Sequence, residues 1–249
     1  MNRRSFLTGL AGLALCPACA AVAAEAPHWS YEGAHGPAHW GDLNAASKVC
    51  SVGWQQSPID IGETIRAQLP PLGVTWRRKA DTIVNNGHTI QVNVGEGSSL
   101  AVGGDRFVLL QFHFHRPSEH RIGNRSYPME VHFVHRHATG KLAVVGVLMT
   151  AGRANPSFKK VVTTMPQKEG PAVPADPGID PNGLLPQRRG YYRYEGSLTT
   201  PPCSETVDWL LLTQPIPVAE ADIDAFAKLY AMNARPTQKL ERRFVLRSG

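Results

Sequence analysis

The sequence predicts a single, mainly β domain with a few short peripheral helices, and three observations lead to that prediction. The chain has 249 residues, which is about the length of one large domain. Hydrophobic residues make up 42% of it and charged residues 18%, which is enough apolar material for a sizeable core. The 23 glycines and 20 prolines favour many turns between short strands over long helices.

Alternation of apolar and polar residues, the pattern of a half-buried strand, recurs along the chain. The strand candidates are TIVNNGHTIQVNV (82–94), RFVLLQFHFH (106–115), MEVHFVHRH (129–137), KLAVVGVLM (141–149) and, as an apolar run, VDWLLLTQPI (207–216). The first is interpreted as one strand that carries His88. In the second, strict alternation places Leu110 and Phe112 on one face and Leu109 and Gln111 on the other.

Helical periodicity is limited to two segments. SFKKVVTTM (157–165) is long enough for two turns, and VAEADIDAFAKLYAM (218–232) predicts an amphipathic helix with Ile223, Phe226 and Tyr230 on one stripe. The Pro- and Gly-rich stretch 166–186 predicts a long surface loop inside the domain, because strand-like segments lie on both sides of it.

Residues 1–24 predict an export signal and not a part of the fold. Arg3 and Arg4 precede an uncharged run that closes in small residues, as in a twin-arginine signal peptide. Pro17 and the many small residues disfavour a retained membrane anchor, and the leucine before Cys16 disfavours a lipoprotein signal. We therefore expect a periplasmic or secreted protein with no stable membrane insertion after cleavage.

The mature domain, residues 25–249, is expected to carry a mild positive charge. The whole chain has a net charge of +6, and loss of the signal removes two arginines and no acid, leaving +4. The basic residues are scattered, and no basic stripe with interleaved aromatic residues occurs. Nucleic acid is therefore not an expected partner.

Cysteine usage agrees with an oxidising compartment. Cys16 and Cys19 belong to the predicted signal, so the mature chain keeps Cys50 and Cys203, which predict one disulfide. The alternative is a nucleophilic Cys203, which no local signature supports.

The chemistry of the chain is concentrated in three histidines on two strand candidates. His113 and His115 are two residues apart and therefore project from the same face of a strand. The next strand offers His132 and His135, and an antiparallel neighbour would place His132 opposite the first pair. Three neutral imidazoles with one open coordination position are typical of a catalytic zinc site.

The same strands carry groups that could orient these imidazoles. Gln111 lies two residues before His113, and Glu130 lies two before His132, so each could accept a hydrogen bond from the ligand of its own or the neighbouring strand. The remaining histidines are interpreted as structural or exposed (His120, His135 and His137) or stay unassigned by spacing (His28, His35 and His39).

A different metal class fits part of the pattern. HFHRPSE matches H-x-H-x3-E, the core of the cupin motif for iron or manganese. The glycines expected around that core are replaced by Phe107 and Ser126, so the full motif is missing.

A set of further motifs resembles the α-class carbonic anhydrases. They are HWSYEGAHGPAHW, QQSPIDI, NNGHTIQV, QFHFH, SEH, MEVHFVH, LAVVGV and YEGSLTTPPCSETVDWLLL, and they occur in family order from residue 28 to about residue 247. The resemblance implies a central twisted, mostly antiparallel sheet of about ten strands with zinc at the bottom of a conical cleft.

The resemblance also implies the chemistry. Zinc would be bound by His113, His115 and His132, and the substrate pair would be carbon dioxide and bicarbonate. Glu119 would accept a hydrogen bond from Thr199, whose hydroxyl would orient the attacking hydroxide.

The remaining implied roles concern the cleft walls and the proton path. The residues are Val134, Val144, Leu198, Val207 and Trp209 in an apolar substrate pocket, Thr200 on a polar wall, His88 as proton shuttle, and Tyr31, Asn86 and Gln91 ordering the intervening water. The cysteine pair would pin the loop that carries Thr199.

One departure and one alternative accompany the resemblance. Arg116 and Pro117 stand where the family often has Trp-Gly, which puts the local rim of the cleft in doubt. An inactive family member acting as a binding module is the alternative, but such members lose ligating histidines and here all three remain. The oligomeric state stays open between a monomer and a homodimer.

Overall fold

The computed structural model describes residues 28–249. The predicted signal, residues 1–24, lies outside the described residues. Among the described residues, no helix is long and apolar enough to cross a membrane.

Short strands dominate the described chain. They are β1 (Asp60–Ile61), β2 (Ile65–Ala67), β3 (Gly73–Thr75), β4 (Thr82–Asn85), β5 (Ile90–Asn93), β6 (Ser99–Val102), β7 (Asp105–His115), β8 (Arg121–Ile122), β9 (Met129–His137), β10 (Leu142–Ala151), β11 (Val173–Pro174), β12 (Tyr191–Gly196), β13 (Val207–Leu212), β14 (Ile216–Val218) and β15 (Leu246–Ser248).

The helices are few and short. The α-helices are α1 (Val49–Val52), α2 (Pro156–Thr164) and α3 (Glu220–Ala227), and 3-10 helices span Gly33–His35, Pro37–Asp42, Ala46–Lys48 and Pro181–Leu184. The mainly β prediction is confirmed.

One large mixed sheet organises the domain. Its main path runs β11-β4-β5-β7-β9-β10-β13-β12-β15-β2, with β14 beside β10 and the β3–β6 pair attached through β7. Within the described residues this sheet has 13 strands, three more than its ten-stranded main path. Nine of its twelve strand pairings are antiparallel, and the parallel ones are β10–β13, β10–β14 and β15–β2. The mostly antiparallel sheet implied by the resemblance is confirmed.

The central strands pack against the larger apolar core with one face and carry the histidine cluster on the other, because side chains alternate along a strand. Phe112 and Phe114 of β7 point to the larger apolar core, where Phe114 packs on Phe158 of α2 and Phe226 of α3 at ring-centroid distances of 5.3 and 6.2 Å. His113, between the two phenylalanines, therefore faces the other side of the sheet.

A β-bulge in β7 contradicts the strict alternation predicted for this strand. The register against β9 shifts between Leu109 and Gln111, so Leu110 is the extra residue. Leu109 therefore lies in the larger core with Phe112, and the prediction that Leu109 shares a face with Gln111 while Leu110 shares one with Phe112 was wrong. An inserted residue reverses the faces on one side of the bulge.

The segment 82–94 forms two strands and not one. Asn86 and Gly87 turn the chain between β4 and β5: the Asn86 Oδ1 accepts hydrogen bonds from the backbone N–H of His88 (3.0 Å) and of Thr89 (2.9 Å). Gly87 has φ +84°, a left-handed conformation that favours glycine. His88 therefore lies in a hairpin turn.

Both predicted helices form. In α2 the side chain of Asn155 caps the first turn by accepting from the N–H groups of Ser157 (3.0 Å) and Phe158 (3.1 Å). The helix predicted over 218–232 is shorter, since α3 ends at Ala227 and the hydroxyl of Tyr230 turns to Asn85.

The predicted loop 166–186 contains β11 and the 3-10 helix at Pro181–Leu184.

Candidate metal centre and active-site cleft

Three histidines converge on the face of the sheet opposite the large core. His113 and His115 come from β7, and His132 lies directly across from His113 on the antiparallel strand β9. One ring nitrogen from each lies within 4.8 Å of one from each of the others. His115 and His132 are buried and His113 is half-buried.

Each imidazole is oriented by a hydrogen bond at its other nitrogen. The Nδ1 of His113 lies 2.8 Å from the Oε1 of Gln111, and the Nε2 of His132 lies 2.8 Å from the Oε1 of Glu130. The Nδ1 of His115 lies 2.8 Å from the backbone oxygen of Asn233. Gln111 and Glu130 thus each orient the histidine of their own strand, and the free nitrogens face one another.

Asn233 was missed by the sequence reasoning. It lies 118 residues beyond His115, and a backbone oxygen carries no sequence signal. Its side chain also donates to the backbone oxygens of His88 (3.0 Å) and Phe114 (2.9 Å) and accepts from the N–H of Arg116 (2.7 Å). Arg116, one of the two residues that depart from the usual Trp-Gly of the family, is therefore joined to the site by its backbone N–H, through Asn233.

The alternative third ligand, His135, lies on the other face of β9. It is three residues from His132, an odd number, so its side chain enters the larger core. There its Nδ1 lies 3.2 Å from the backbone oxygen of Ala143, and its ring stacks near Trp76 with centroids 5.5 Å apart.

Burial keeps the three converging histidines neutral. Desolvation lowers the pKa of His115 to about 4 and also lowers the pKa of His132. The pKa of His113 falls well below its usual value through desolvation and the neighbouring His115 and His132. Neutral imidazoles are the form that binds a metal ion.

Glu130 anchors a buried chain of hydrogen bonds behind His132. Its carboxylate is within 2.8 Å of both His132 Nε2 and His120 Nδ1, while His120 Nε2 lies 2.6 Å from the hydroxyl of Tyr194. Burial alone would raise the pKa of Glu130, but His120 and His132 outweigh it and hold that pKa well below its usual value. His120 is therefore structural, as interpreted from the sequence.

Glu119 lies against the same cluster. Its Oε2 is 3.6 Å from His115 Nε2 and 3.8 Å from His132 Nδ1, and its Oε1 accepts the N–H of Arg235 at 2.8 Å. Burial raises the pKa of this carboxyl to about 7, against the lowering effects of His132, the Arg235 N–H and the Thr199 hydroxyl. Among the described residues, however, the Oε2 of Glu119 has no hydrogen-bond partner of good geometry.

An apolar wall stands beside the histidines. Val144 lies between Val134 and Trp209 on adjacent strands, and the indole of Trp209 is 4.8 Å from the ring of His132. Val207 belongs to the same cluster and Leu198 packs against it. The five predicted apolar pocket residues are therefore brought together in the fold.

The loop after β12 is tied to the N-terminal part of the described chain. Cys50 and Cys203 are disulfide-bonded, as predicted, across 153 residues. The N–H of Cys203 bonds the oxygen of Thr200 at 2.9 Å, and that of Leu198 bonds the oxygen of Ser204 at 3.1 Å. The disulfide and these two hydrogen bonds hold in place the segment that carries Thr199 and Thr200.

His88 lies at the wall of a groove of about 320 Å³. Its ring is stacked on Trp29, and Tyr31 lines the same groove. Burial lowers the pKa of His88 and raises that of Tyr31 well above its usual value. Gln91 lies opposite His113, and its side-chain amide donates to the Oδ1 of Asn93 at 2.8 Å. The Oδ1 of Asn86 accepts the hydrogen bonds of the turn described above.

The donor set fits a metal ion. His115 Nε2 and Glu119 Oε2 are buried polar atoms without hydrogen-bond partners in the described structure. Such groups cost free energy unless a bound species satisfies them. The three neutral ring nitrogens, which lie within 4.8 Å of one another, could supply such a species with ligands.

The sequence of the chain is similar to those of known carbonic anhydrases. A family model described as eukaryotic-type carbonic anhydrase matches residues 35–249. The carbonic anhydrase of Pectobacterium atrosepticum is 39% identical over 235 residues, which cover 94% of this chain and 96% of the relative.

Solved structures show the same fold. The α-carbonic anhydrase of Thermovibrio ammonificans, in complex with the inhibitor sulfanilamide, superposes with a TM-score of 0.86 at 44% identity, covering 88% of this chain and 99% of that chain. Dioscorin complexed with ascorbate also superposes, with a TM-score of 0.82 at 30% identity over 88% and 97% of the two chains. Because one fold can carry different functions, the site residues matter as well as the fold. The family match, the bacterial relatives and the histidine cluster agree, and the chain belongs to the eukaryotic-type (α-class) carbonic anhydrase family of enzymes.

Proposed function

We propose that the protein catalyses the zinc-dependent, reversible hydration of carbon dioxide to bicarbonate and a proton. The observation that carries this proposal is the convergence of three neutral imidazole nitrogens beside an apolar wall. Substrate and product are small molecules, and the family supports this reaction class.

His113, His115 and His132 would hold the zinc ion. An all-imidazole set of three ligands is typical of catalytic zinc with one open position, and no sulfur ligand is present in the cluster. Bound zinc supplies a water whose pKa is lowered to roughly 7, a value that comes from carbonic anhydrases themselves. The ring N–H groups of the three histidines donate to oxygens of Gln111, Glu130 and Asn233, which hold the rings in one orientation.

Thr199 and Glu119 would set the direction of attack. The Glu119 carboxylate, when ionised, can only accept, so a Thr199 hydroxyl that donates to it must offer its oxygen lone pairs to the incoming group. The buried N–H of Arg235 at 2.8 Å favours the ionised carboxylate. This arrangement would orient the nucleophile.

The apolar wall would bind carbon dioxide. The substrate is uncharged and small, so Val134, Val144, Val207, Trp209 and Leu198 offer it a site from which water is excluded. Thr200 would add a polar group at the edge of that site.

His88 would carry the released proton to solvent. Each turnover of hydration leaves one proton in the site, and the metal-binding imidazoles are not free to accept it. His88 is a separate imidazole at a solvent groove, and imidazole changes charge near neutral pH. Tyr31, Asn86 and Gln91 would order the water between the two sites.

Export to the periplasm or beyond is part of the proposal. The disulfide between Cys50 and Cys203 is expected in an oxidising compartment, and residues 1–24 have the pattern of a twin-arginine signal.

The test is stopped-flow hydration of carbon dioxide by the purified mature domain, with metal analysis of the same sample. Stoichiometric zinc and hydration that an aromatic sulfonamide blocks are the expected results. His132→Ala should lose zinc and activity together, whereas His135→Gln, altered on the other face of β9, should keep both. Zinc-loaded wild type without hydration would identify a binding module, and iron without zinc would overturn the metal assignment.

A further inference from the structure

The turn that carries His88 has a carboxylate beside it. Glu169 lies against Gly87, so close that a Cβ on this glycine would be 2.8 Å from the Glu169 Oε2. Gly87 precedes His88 directly, and the side chains of Glu169 and His88 line one groove.

Two hydrogen bonds fix the segment 166–170 at this place. The N–H of Gly170 donates to the backbone oxygen of Asn85 at 3.2 Å, and the side chain of Asn85 donates to the oxygen of Pro166 at 3.1 Å. The position of Glu169 thus follows from backbone contacts that anchor the loop on the β4–β5 turn, although its side chain is exposed.

The groove brings the other titratable groups near His88 from every element around it. From the N-terminal segment these are His28, Tyr31 and Glu32, from the 166–170 segment Glu169, and from the segment after α3 Tyr230. Glu32 is the second carboxylate of the groove, but no contact places it against the turn.

We propose that Glu169 is the electrostatic partner of His88 and that its carboxylate stabilises the imidazolium formed when His88 takes up a proton from the metal site. Glu169 acts through His88 and touches neither substrate nor metal, so it is a positioning residue. The proposal rests on the shuttle role given to His88 above.

The charges in the groove support the direction of this effect. Burial lowers the pKa of His88, Glu169 opposes that change, and His28 adds to the lowering. Without Glu169 the imidazolium loses its nearby negative charge, and proton uptake by His88 becomes less favourable. The step that slows is the export of protons, which limits kcat in weak buffer and leaves kcat/KM untouched.

The experiment compares zinc-loaded wild type with Glu169→Gln, and uses Glu32→Gln as the matched control. In weak buffer we expect Glu169→Gln to lower kcat for hydration by about two- to fivefold, the range of an exposed charge interaction. The ratio kcat/KM should stay unchanged, imidazole buffer should restore kcat, and Glu169→Asp should retain most of it. Glu32→Gln should behave as wild type.

A second measurement follows His88 itself by NMR titration of its ring. The pKa of His88 should be lower in Glu169→Gln than in wild type. The difference should shrink at 1 M salt, where the Debye length is only about 3 Å and charges are screened from one another. An unchanged pKa, or a loss of kcat/KM equal to that of kcat, would overturn the proposal.

The outcomes separate the two proposals. A wild type that hydrates no carbon dioxide refutes the proposed function. An active wild type in which His88→Ala changes nothing in weak buffer refutes the shuttle and the Glu169 proposal together. A slow His88→Ala with an unaffected Glu169→Gln refutes the Glu169 proposal alone.

Discussion

The imidazole of His88 lies flat on the indole of Trp29, with ring centroids 3.6 Å apart and planes 9° from parallel. Trp29 in turn packs edge-on against Tyr31 and Trp40, at 5.3 and 5.1 Å. The N-terminal segment of the described chain therefore supplies the surface on which the His88 ring packs. The behaviour of His88 can be tested separately from that of the candidate metal ligands.

His88→Ala should slow turnover without harming the metal centre. No ligand or apolar wall residue is changed, so isotope exchange between carbon dioxide and bicarbonate should stay near the wild-type rate. Turnover in weak buffer should fall by roughly tenfold or more, because proton release becomes limiting. Small imidazole buffers should restore much of it. An equal loss in the exchange reaction would instead indicate damage to the zinc site.

Gly146→Ala should weaken metal binding from a distance. Gly146 lies opposite His132, and a Cβ there would be 2.7 Å from Leu211 and 3.1 Å from the Oε1 of Glu130. We expect a loss of about 1–3 kcal/mol in the free energy of unfolding and a zinc affinity reduced by roughly tenfold or more, measured by chelator competition.

Gly62→Ala is the matched control for that substitution. No atom lies within 4 Å of a Cβ built at Gly62, so its stability and zinc affinity should match the wild type. Equal zinc affinity in the two variants would show that Glu130 and His132 can give way to the added methyl group.

Removal of the disulfide should destabilise the folded protein strongly. The bridge joins Cys50 to Cys203 across 153 residues, and closing so long a loop stabilises by up to about 4–5 kcal/mol in the chain-entropy model. Urea unfolding of the Cys50→Ser, Cys203→Ser double variant measures this, and reduced wild type should behave alike. Identical midpoints for oxidised protein and variant would contradict the prediction.

Acid should destabilise the protein partly through His135. Burial lowers the pKa of its imidazole from 6.5 to about 4, so it stays neutral in the folded state while the unfolded chain becomes protonated. Its contribution is fully present above pH 6.5 and is lost as the pH falls toward 4, by about 1.4 kcal/mol per pH unit.

The measurement for His135 is the free energy of unfolding between pH 6.5 and 5 for wild type and His135→Gln. The wild type should take up about one more proton on unfolding, and its stability should fall more steeply with acid. Parallel curves would show that His135 does not titrate in this way.

The sequence allowed prediction of the elements that depend on local pattern. The mainly β class, the helix α2 and the disulfide followed from periodicity, composition and cysteine count. The placement of His132 opposite His113 followed from spacing on neighbouring antiparallel strands, and the structure has that register.

Features that depend on distant contacts were not predictable in this way. The bulge at Leu110 cannot be recognised from the alternation of apolar and polar residues, because Leu109 and Leu110 are both leucine and either could face the core. Asn233 and Arg235 reach the site through backbone atoms, more than a hundred residues from His115 and Glu119. The hairpin turn at Asn86 and Gly87 is different, because an Asn-Gly pair between two apolar segments is a local hairpin signal that the one-strand interpretation of residues 82–94 did not take into account.

Asn233 and Arg235 lie among the last seventeen residues of the chain, yet they complete the surroundings of His115 and Glu119. The three candidate metal-binding histidines, His113, His115 and His132, are synthesised about a hundred residues earlier. A ribosome-bound or truncated chain that ends before residue 233 therefore has all three candidate ligands but lacks the hydrogen bonds that orient His115 and hold Glu119. A chain that stops before residue 233 should therefore bind the ion more weakly than one that includes Asn233 and Arg235, whereas a chain that stops shortly after residue 235 keeps both of these contacts.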